Sequence, residues 1–380
     1  MALSAQMVQI AIIGGGIGGL TAALAIHQAG FECEVFEQAP ALHDVGAAIA
    51  LWPNATPILQ RLNLFDKILE RAGVMEEIRW VDQNGWLINR VSISDSQFPA
   101  VALHRADLQN TLVQSLPPSS IHLGYELIDQ TQRGDKMIAN FANGHSTEAD
   151  FLIGADGIHS RVREQFLNDG PPVDRGYVVW RGISPTSPTG IPPATAIEFH
   201  GRGKRFGVGP VGLGRLGWWA TANTPNTDEL RQLFEGWQRP VLELIEATPP
   251  MSILKTTASD RPPSRVWGRG RMAMMGDAIH PTTPNLGQGG CLAMEDAMVL
   301  ATCFEKVGAT EEALRNYEQL RYKRTAALSK YSRYYGSMGQ WENIGARALR
   351  RTALALAPEA VMKRLMQIVF YPQLTHKTSV

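Results

Sequence analysis

The sequence predicts an α/β fold: a Rossmann-type nucleotide-binding domain carrying an inserted, mostly antiparallel β-sheet domain and a C-terminal helical region. Three observations predict it. A continuous apolar run, Val8 to Ile13, leads into Gly14-Gly15-Gly16-Ile17-Gly18-Gly19. Between about Val173 and Val266 short β-type runs alternate with Pro and Gly. Past about residue 335 the pattern becomes helical.

The apolar run suits a parallel strand buried on both faces. Leu20 to Ala29 predicts a helix, and Phe31 to Phe36 a second strand closed by Glu37. The glycines read as GxGxxG on Gly14, Gly16 and Gly19. The first allows a tight turn, the second lets backbone approach a pyrophosphate, and the third lets helix and strand pack closely. Glu37 is placed to accept from a ribose hydroxyl. A second GxGxxG, Gly207 to Gly212, is followed by Trp218-Trp219 and no helix, so it reads as strand–turn–strand. The apolar stretch Ile10 to Ile26 carries five glycines and no basic leader, and reads as strand, loop and helix rather than a membrane span.

Arg79 to Ile93 predicts a hairpin turning at Asn84-Gly85. Ala106 to Leu116 is a helix stopped by Pro117-Pro118, and short strands surround Gly134 and Gly144. Phe151 to Gly154 is another buried strand, running into Asp156-Gly157 and a helix carrying Ser160 and Arg163. The inserted sheet gathers Tyr177 to Trp180, Ala196 to His200, Phe206 to Val208 and Leu216 to Thr221, with helices between Thr227 and Thr248. Gly276-Asp277 then precedes a Pro-rich turn and the run Pro284-Asn285-Leu286-Gly287-Gln288-Gly289-Gly290, which opens a helix over Gly290 to Phe304. Amides at such a helix start face an anion or an electron-rich carbonyl. The division is 1–80, 105–172 and 267–335 for three parts of the nucleotide-binding domain, 81–104 for a hairpin excursion, 173–266 for the inserted domain and 336–380 for the helical region.

These segments together resemble the single-component FAD-dependent aromatic hydroxylase and epoxidase family, through GxGxxG, the DG motif at Asp156-Gly157 and the GD motif at Gly276-Asp277. The resemblance runs from about residue 7 to about residue 335. Val45 to Ile49, with Trp52-Pro53-Asn54, resembles the family's early loop, and Arg105 its FAD-contacting arginine. By that resemblance Gly14, Gly16, Gly19, Glu37, Gly46, Ala47, Arg105, Asp156, Arg163, Asp277, Pro284, Gly287, Gln288, Gly289 and Gly290 bind the cofactor, with Glu37 on the adenosine ribose and Asp277 on the ribitol. The implied cofactors are FAD and NAD(P)H, the DG segment serving both. The implied reaction reduces FAD with NAD(P)H, forms a C4a-hydroperoxide with O2 and transfers one oxygen to a small aromatic or heteroaromatic substrate. Epoxidation of a polyene or other lipid-soluble substrate, and prenyl-type reduction on the same fold, are the alternatives.

No Ser/His/Asp constellation or metal-spaced cluster stands out, so the chemistry falls to the cofactor. Asn285 and Arg205 are the candidate catalytic residues, and Arg205, Trp180 and Trp219 the candidate substrate contacts, an aromatic wall plus a cation suiting a planar phenolic or anionic ligand. His159 and His280 are expected to make structural hydrogen bonds. Gly203-Lys204-Arg205 and the GD region are similar to FAD-dependent urate hydroxylase, and parts of the chain to zeaxanthin epoxidase-like proteins; an Asn at the place of Asn285 occurs in epoxidases and various hydroxylases. Asn285 stands where urate hydroxylase has Asp, and Gly217 where it has Tyr, which argues against urate.

Thirty-six basic and 36 acidic residues balance, so nothing favours nucleic acid. Cys33, Cys291 and Cys303 are odd in number and lack metal spacing, which suits a reducing, cytoplasmic compartment and packing roles. Arg315 to Arg364 carries eleven Lys or Arg against three acids. Such helices can lie on an anionic membrane, but packing against their own domain is the favoured expectation, with Pro358 dividing them.

Overall fold

The computed structural model describes residues 8–42, 47–223 and 229–370. Its first layer is a five-stranded sheet in the order Met272–Met274, Phe151–Gly154, Gln9–Ile13, Glu32–Glu37, Ile121–Leu123. Every pairing is parallel. Ile13 stands opposite both Phe36 and Gly154, and Gly154 opposite Met274. The loops that follow these strands therefore leave from one edge. That register brings the three glycine–acid segments together, although they lie some 140 and 120 residues apart in the chain.

The expected elements form with small shifts. The first helix is Ile17–Gln28, the helix after Pro-rich turn is Gly289–Val307, and the one ended by Pro117 is Arg105–Gln114. Ser160 caps the Arg161–Leu167 helix through the Arg163 amide. The helices Ile17–Gln28 and Gly289–Val307 pack where Gly18 meets Ala293, a Cβ at Gly18 falling 3.0 Å from the alanine methyl.

The second layer is a seven-stranded sheet in the order Leu254–Asp260, Val173–Ser184, Leu216–Asn223, Lys204–Pro210, Thr195–His200, Glu77–Asp82, Leu87–Ser92. It is antiparallel except where the 195–200 strand runs parallel to 77–82. The Asn84-Gly85 hairpin is thus an edge of this sheet, with Gly85 at φ +87°. The false GxGxxG is the end of the Lys204–Pro210 strand and the start of the turn into the next, where Gly212, Leu213 and Gly214 all have positive φ. The strands are longer than their sequence cores, Val173–Ser184 spanning 12 residues, and Leu254–Asp260 carries no strand signal of its own.

Period-two alternation gives this sheet two faces. Phe199, Phe206, Trp218 and Trp180 pack away from the first layer with Phe234, Trp237 and Leu244. Tyr177, Val179, Arg181, Glu198, His200, Trp219 and Thr221 fall on the opposite face. Beneath that face runs the Glu311–Gly339 helix, followed by Ile344–Ala355 and Glu359–Phe370 on either side of Pro358. The last two pack on the 87–92 strand, where the Asn89 amide donates to the Leu354 and Ala357 carbonyls. Among the described residues no helix is long and apolar enough to cross a membrane.

Candidate active site

The glycine loop has the geometry its residue types dictate. Gly14 has φ +112°, and a Cβ there would lie 2.4 Å from the Ala155 carbonyl oxygen, so the first and second motifs touch through backbone. A Cβ on Gly19 would sit 1.9 Å from the Gly14 oxygen. A Cβ on Gly16 would meet nothing within 4 Å, which leaves an open approach to the helix start. Glu37 accepts from the Gly15 and Ala39 amides at 2.6 and 2.9 Å, and so sits beside the loop with lone pairs to spare.

Asp156 caps its helix by accepting from the Arg161 and Val162 amides, while its other oxygen, Oδ1, is buried without a partner. Arg163 is a correction to the sequence reading. It is wholly buried, donates to the Ile279 carbonyl at 2.7 Å and pairs with Asp169. With its guanidinium committed there, it fixes the GD turn against the DG helix rather than facing a ligand.

Asp277 lies deep in the molecule, yet its side chain is open to a large cavity. The surrounding protein pushes its pKa up, against the pull of His280 and Arg105. Arg105 begins its helix with its amide on the Ala47 carbonyl at 3.0 Å. Ala47, Pro284, Gly287, Gly289 and Gly290 line the same cavity. Gln288 does not: its side chain is buried, its Oε1 accepting from Asn54 while its Nε2 has no partner. Gly46 lies outside the described residues.

That network joins the Gly289–Val307 and Glu311–Gly339 helices. Arg321 pairs with Glu295 at 2.5 Å and Asp296 at 2.6 Å, and Arg324 with Glu295 at 2.8 Å. Asp296 also accepts from the Gly276 amide and pairs with buried His280, so this histidine is structural. All three cysteines are buried, and burial pushes Cys33 and Cys291 up to about 12 and Cys303 to about 11, which leaves their thiols unionised. Among the described residues no group of His, Cys, Asp or Glu is arranged to hold a metal.

From the turn at the edge of this floor, Asn285 reaches toward the sheet. Its Nδ2 donates to the Tyr177 hydroxyl at 2.8 Å, to Thr283 Oγ1 at 2.8 Å and to the Ser332 carbonyl at 3.0 Å. Its Oδ1 accepts from Arg205. Arg205 is fully buried rather than solvated, pairs with Glu198 at 3.0 Å, and lies between the rings of Trp219 and Tyr335 at 5.2 and 5.4 Å. It reaches the cavity through Asn285 and does not line it. Trp219 does line it, lying flat over Gly207, where a Cβ would be 2.2 Å from the indole. Trp180 does not. It faces the far side of the sheet, where Lys255 covers its ring, and alternation gives Val179 and Arg181 the cavity side.

Sequence reasoning missed the residues that complete this face. Gly336 and Gly339, one turn apart on the 311–339 helix, leave the space that Asn285 and Arg205 fill: Cβ atoms there would lie 2.3 Å from Asn285 Nδ2 and from Arg205 Nε. Tyr177 supplies a phenol to Asn285 from the strand beside Gly217, whose own Cβ would strike Ala48. Glu198 accepts from Tyr335 at 2.7 Å. His200 lines the cavity, is 6% exposed, and has neither ring nitrogen hydrogen-bonded. Its Nε2 lies 3.4 Å from Glu198 but off the line of a hydrogen bond. Burial lowers its pKa to about 4, so it stands neutral, with one donor and one acceptor. The alternation Glu198/His200 against Phe199 was the available signal.

The cavity between floor and sheet is about 1310 Å³. An open glycine at a helix start, an acid beside it, an accessible Asp277 and the helix amides at 287–290 fit a dinucleotide whose ring end enters this space. The family described as FAD binding domain matches residues 7–332. The chain belongs to that family, the single-component FAD-dependent aromatic hydroxylases. It is an FAD-dependent monooxygenase. It is 38% identical over 349 residues to the aurachin C monooxygenase/isomerase of Stigmatella aurantiaca, covering 88% of this chain and 90% of that one. It is 35% identical to the 3-amino-4-hydroxybenzoate 2-monooxygenase of Streptomyces cremeus, covering 86% of each. The structure of Klebsiella pneumoniae HpxO with FAD and uric acid superposes with a TM-score of 0.89 at 30% identity, covering 97% of each chain.

Proposed function

We propose that this monooxygenase uses NAD(P)H and O2 to hydroxylate a planar phenolic or heteroaromatic substrate, bound between the 284–290 turn and the seven-stranded sheet. The observation that carries the reading is Asn285: a side chain on the cofactor-side turn, held by four partners and facing an apolar cavity. Bound FAD supplies the redox chemistry and the activation of oxygen. Gly14, Gly16, Gly19 and Glu37 would hold its adenosine end, and Asp277, Ala47, Arg105 and the 287–290 backbone its ring end.

The chain's own residues then do three things. Asn285, fixed through Arg205 and Tyr177, contributes to orienting the reacting atoms. The apolar walls keep water from the reacting centre. Neutral His200 offers a hydrogen bond to a hydroxyl or ring nitrogen, since its unpaired buried nitrogens otherwise cost about 1–3 kcal/mol. One relative is named for a hydroxybenzoate and another binds uric acid beside FAD, and both support an aromatic or heteroaromatic substrate. The deciding experiment is NAD(P)H oxidation by the FAD-loaded enzyme over a panel of such compounds, with O2 uptake and product mass. One O2 consumed and one oxygen gained per turnover is expected. NAD(P)H consumption with reduction of the compound and no oxygen gain would make it a reductase instead.

A further inference from the structure

We propose that the substrate's aromatic head carries an apolar arm, which lies along the two C-terminal helices and leaves toward a mouth beside the 311–339 helix. This rests on the aromatic-hydroxylase reading above and names the substrate class within it. The cavity, at about 1310 Å³, takes the ring end of the cofactor as well as the substrate, so its wall chemistry and not its size points to the arm. Apolar walls that neither the cofactor nor a single ring touches forfeit their dispersion energy.

The wall chemistry says what fills the rest. Met75, Ile78, Leu354, Ala357, Met362 and Met366 line the cavity and pack as one apolar cluster. Leu286, next to Asn285, belongs to the same cluster, so this chamber begins at the turn proposed to orient the reaction. Three of the six are methionines, whose flexible, polarisable side chains adapt to arms of different shape. The mouth is apolar too. Tyr334, Leu365 and Met338 line the cavity and yet are 55%, 48% and 39% exposed. Scattered exposed apolar side chains are ordinary, but a group continuous with an apolar cavity marks a ligand path. A compact polar ring needs no such path; a head with a hydrocarbon arm does.

The test uses the FAD-loaded full chain and the methyl, butyl and octyl esters of 4-hydroxybenzoate, each titrated against the visible flavin spectrum. Binding should tighten by about three- to fourfold for each methylene buried, from about 0.8 kcal/mol per methylene. Met366→Gln, which keeps length but not apolarity, should weaken the octyl ester by at least about fivefold and leave the methyl ester unchanged. Met366→Leu should restore the octyl preference. Equal affinity for methyl and octyl esters overturns the arm while leaving the aromatic reading standing. So does an equal loss for both esters in Met366→Gln. A series in which no ester perturbs the flavin rejects both.

Discussion

The floor of the cavity and its roof are held in place by different means. On the floor, backbone does the positioning: four parallel strands end in register, and glycines let the loops beyond them touch, as where Gly14 meets Ala155 and Gly19 meets the Gly14 carbonyl. On the roof, side chains do it. Asn285 is fixed by Arg205 from one strand, Tyr177 from another and Ser332 from a helix. A backbone-built site tolerates changes in its outward side chains but not in its glycines. A side-chain-built site can change chemistry by single substitutions, which is how one cofactor scaffold serves many substrates.

The largest effect should come where the two regions are joined. Arg321→Met leaves Glu295 and Asp296 with fewer partners in the interior, and should cost about 3–5 kcal/mol in denaturant unfolding. A loss under about 1 kcal/mol would show that Arg324 and His280 suffice.

The glycines separate fold from function within the floor. Gly19→Ala should cost about 3 kcal/mol, since the new methyl meets backbone and not a movable side chain. Gly16→Ala should change stability by no more than about 0.5 kcal/mol and still weaken FAD binding. Equal melting shifts for the two would break the distinction.

His200 tests the roof through pH. Its folded pKa, about 4, lies below the ordinary 6.5, so the unfolded chain takes up the proton first. Stability from this residue is therefore full above pH 6.5 and is lost as pH falls toward 4, by at most roughly 3 kcal/mol. Wild type minus His200→Gln should show that slope in unfolding free energy; parallel pH profiles would mean that the histidine titrates normally.

Asp277→Ala should lower FAD affinity by about ten- to a hundredfold, equivalent to roughly 1.5–3 kcal/mol for a charge-assisted hydrogen bond. Flavin retention during dialysis reads it directly, and unchanged retention would remove Asp277 from the site.

The smallest energy belongs to Asn285→Ala. FAD content should be unchanged, while the share of NAD(P)H oxidation that yields product falls and hydrogen peroxide rises, by a factor of a few, for roughly 1 kcal/mol of lost orientation. Unaltered coupling on a confirmed substrate would return Asn285 to a structural role.

By itself the sequence determined the floor. Its strands are continuous apolar runs, its turns need glycine, and its acids stand at fixed offsets, so local spacing carried Gly14, Gly16, Gly19, Glu37 and Asp277 to the reader. It also determined the antiparallel character of the roof, because alternation and Pro-Gly punctuation are local. Tertiary structure alone decided which side chains face the cavity. Trp180 and Trp219 look equivalent in the chain, and only strand pairing assigns one to the core and one to the cavity. Arg205 meets Asn285 across 80 residues, and Gly336 and Gly339 make room for both from a helix whose sequence shows only two small residues a turn apart. Contacts of that range leave no periodic trace, since each depends on how two layers of the fold come to rest on one another.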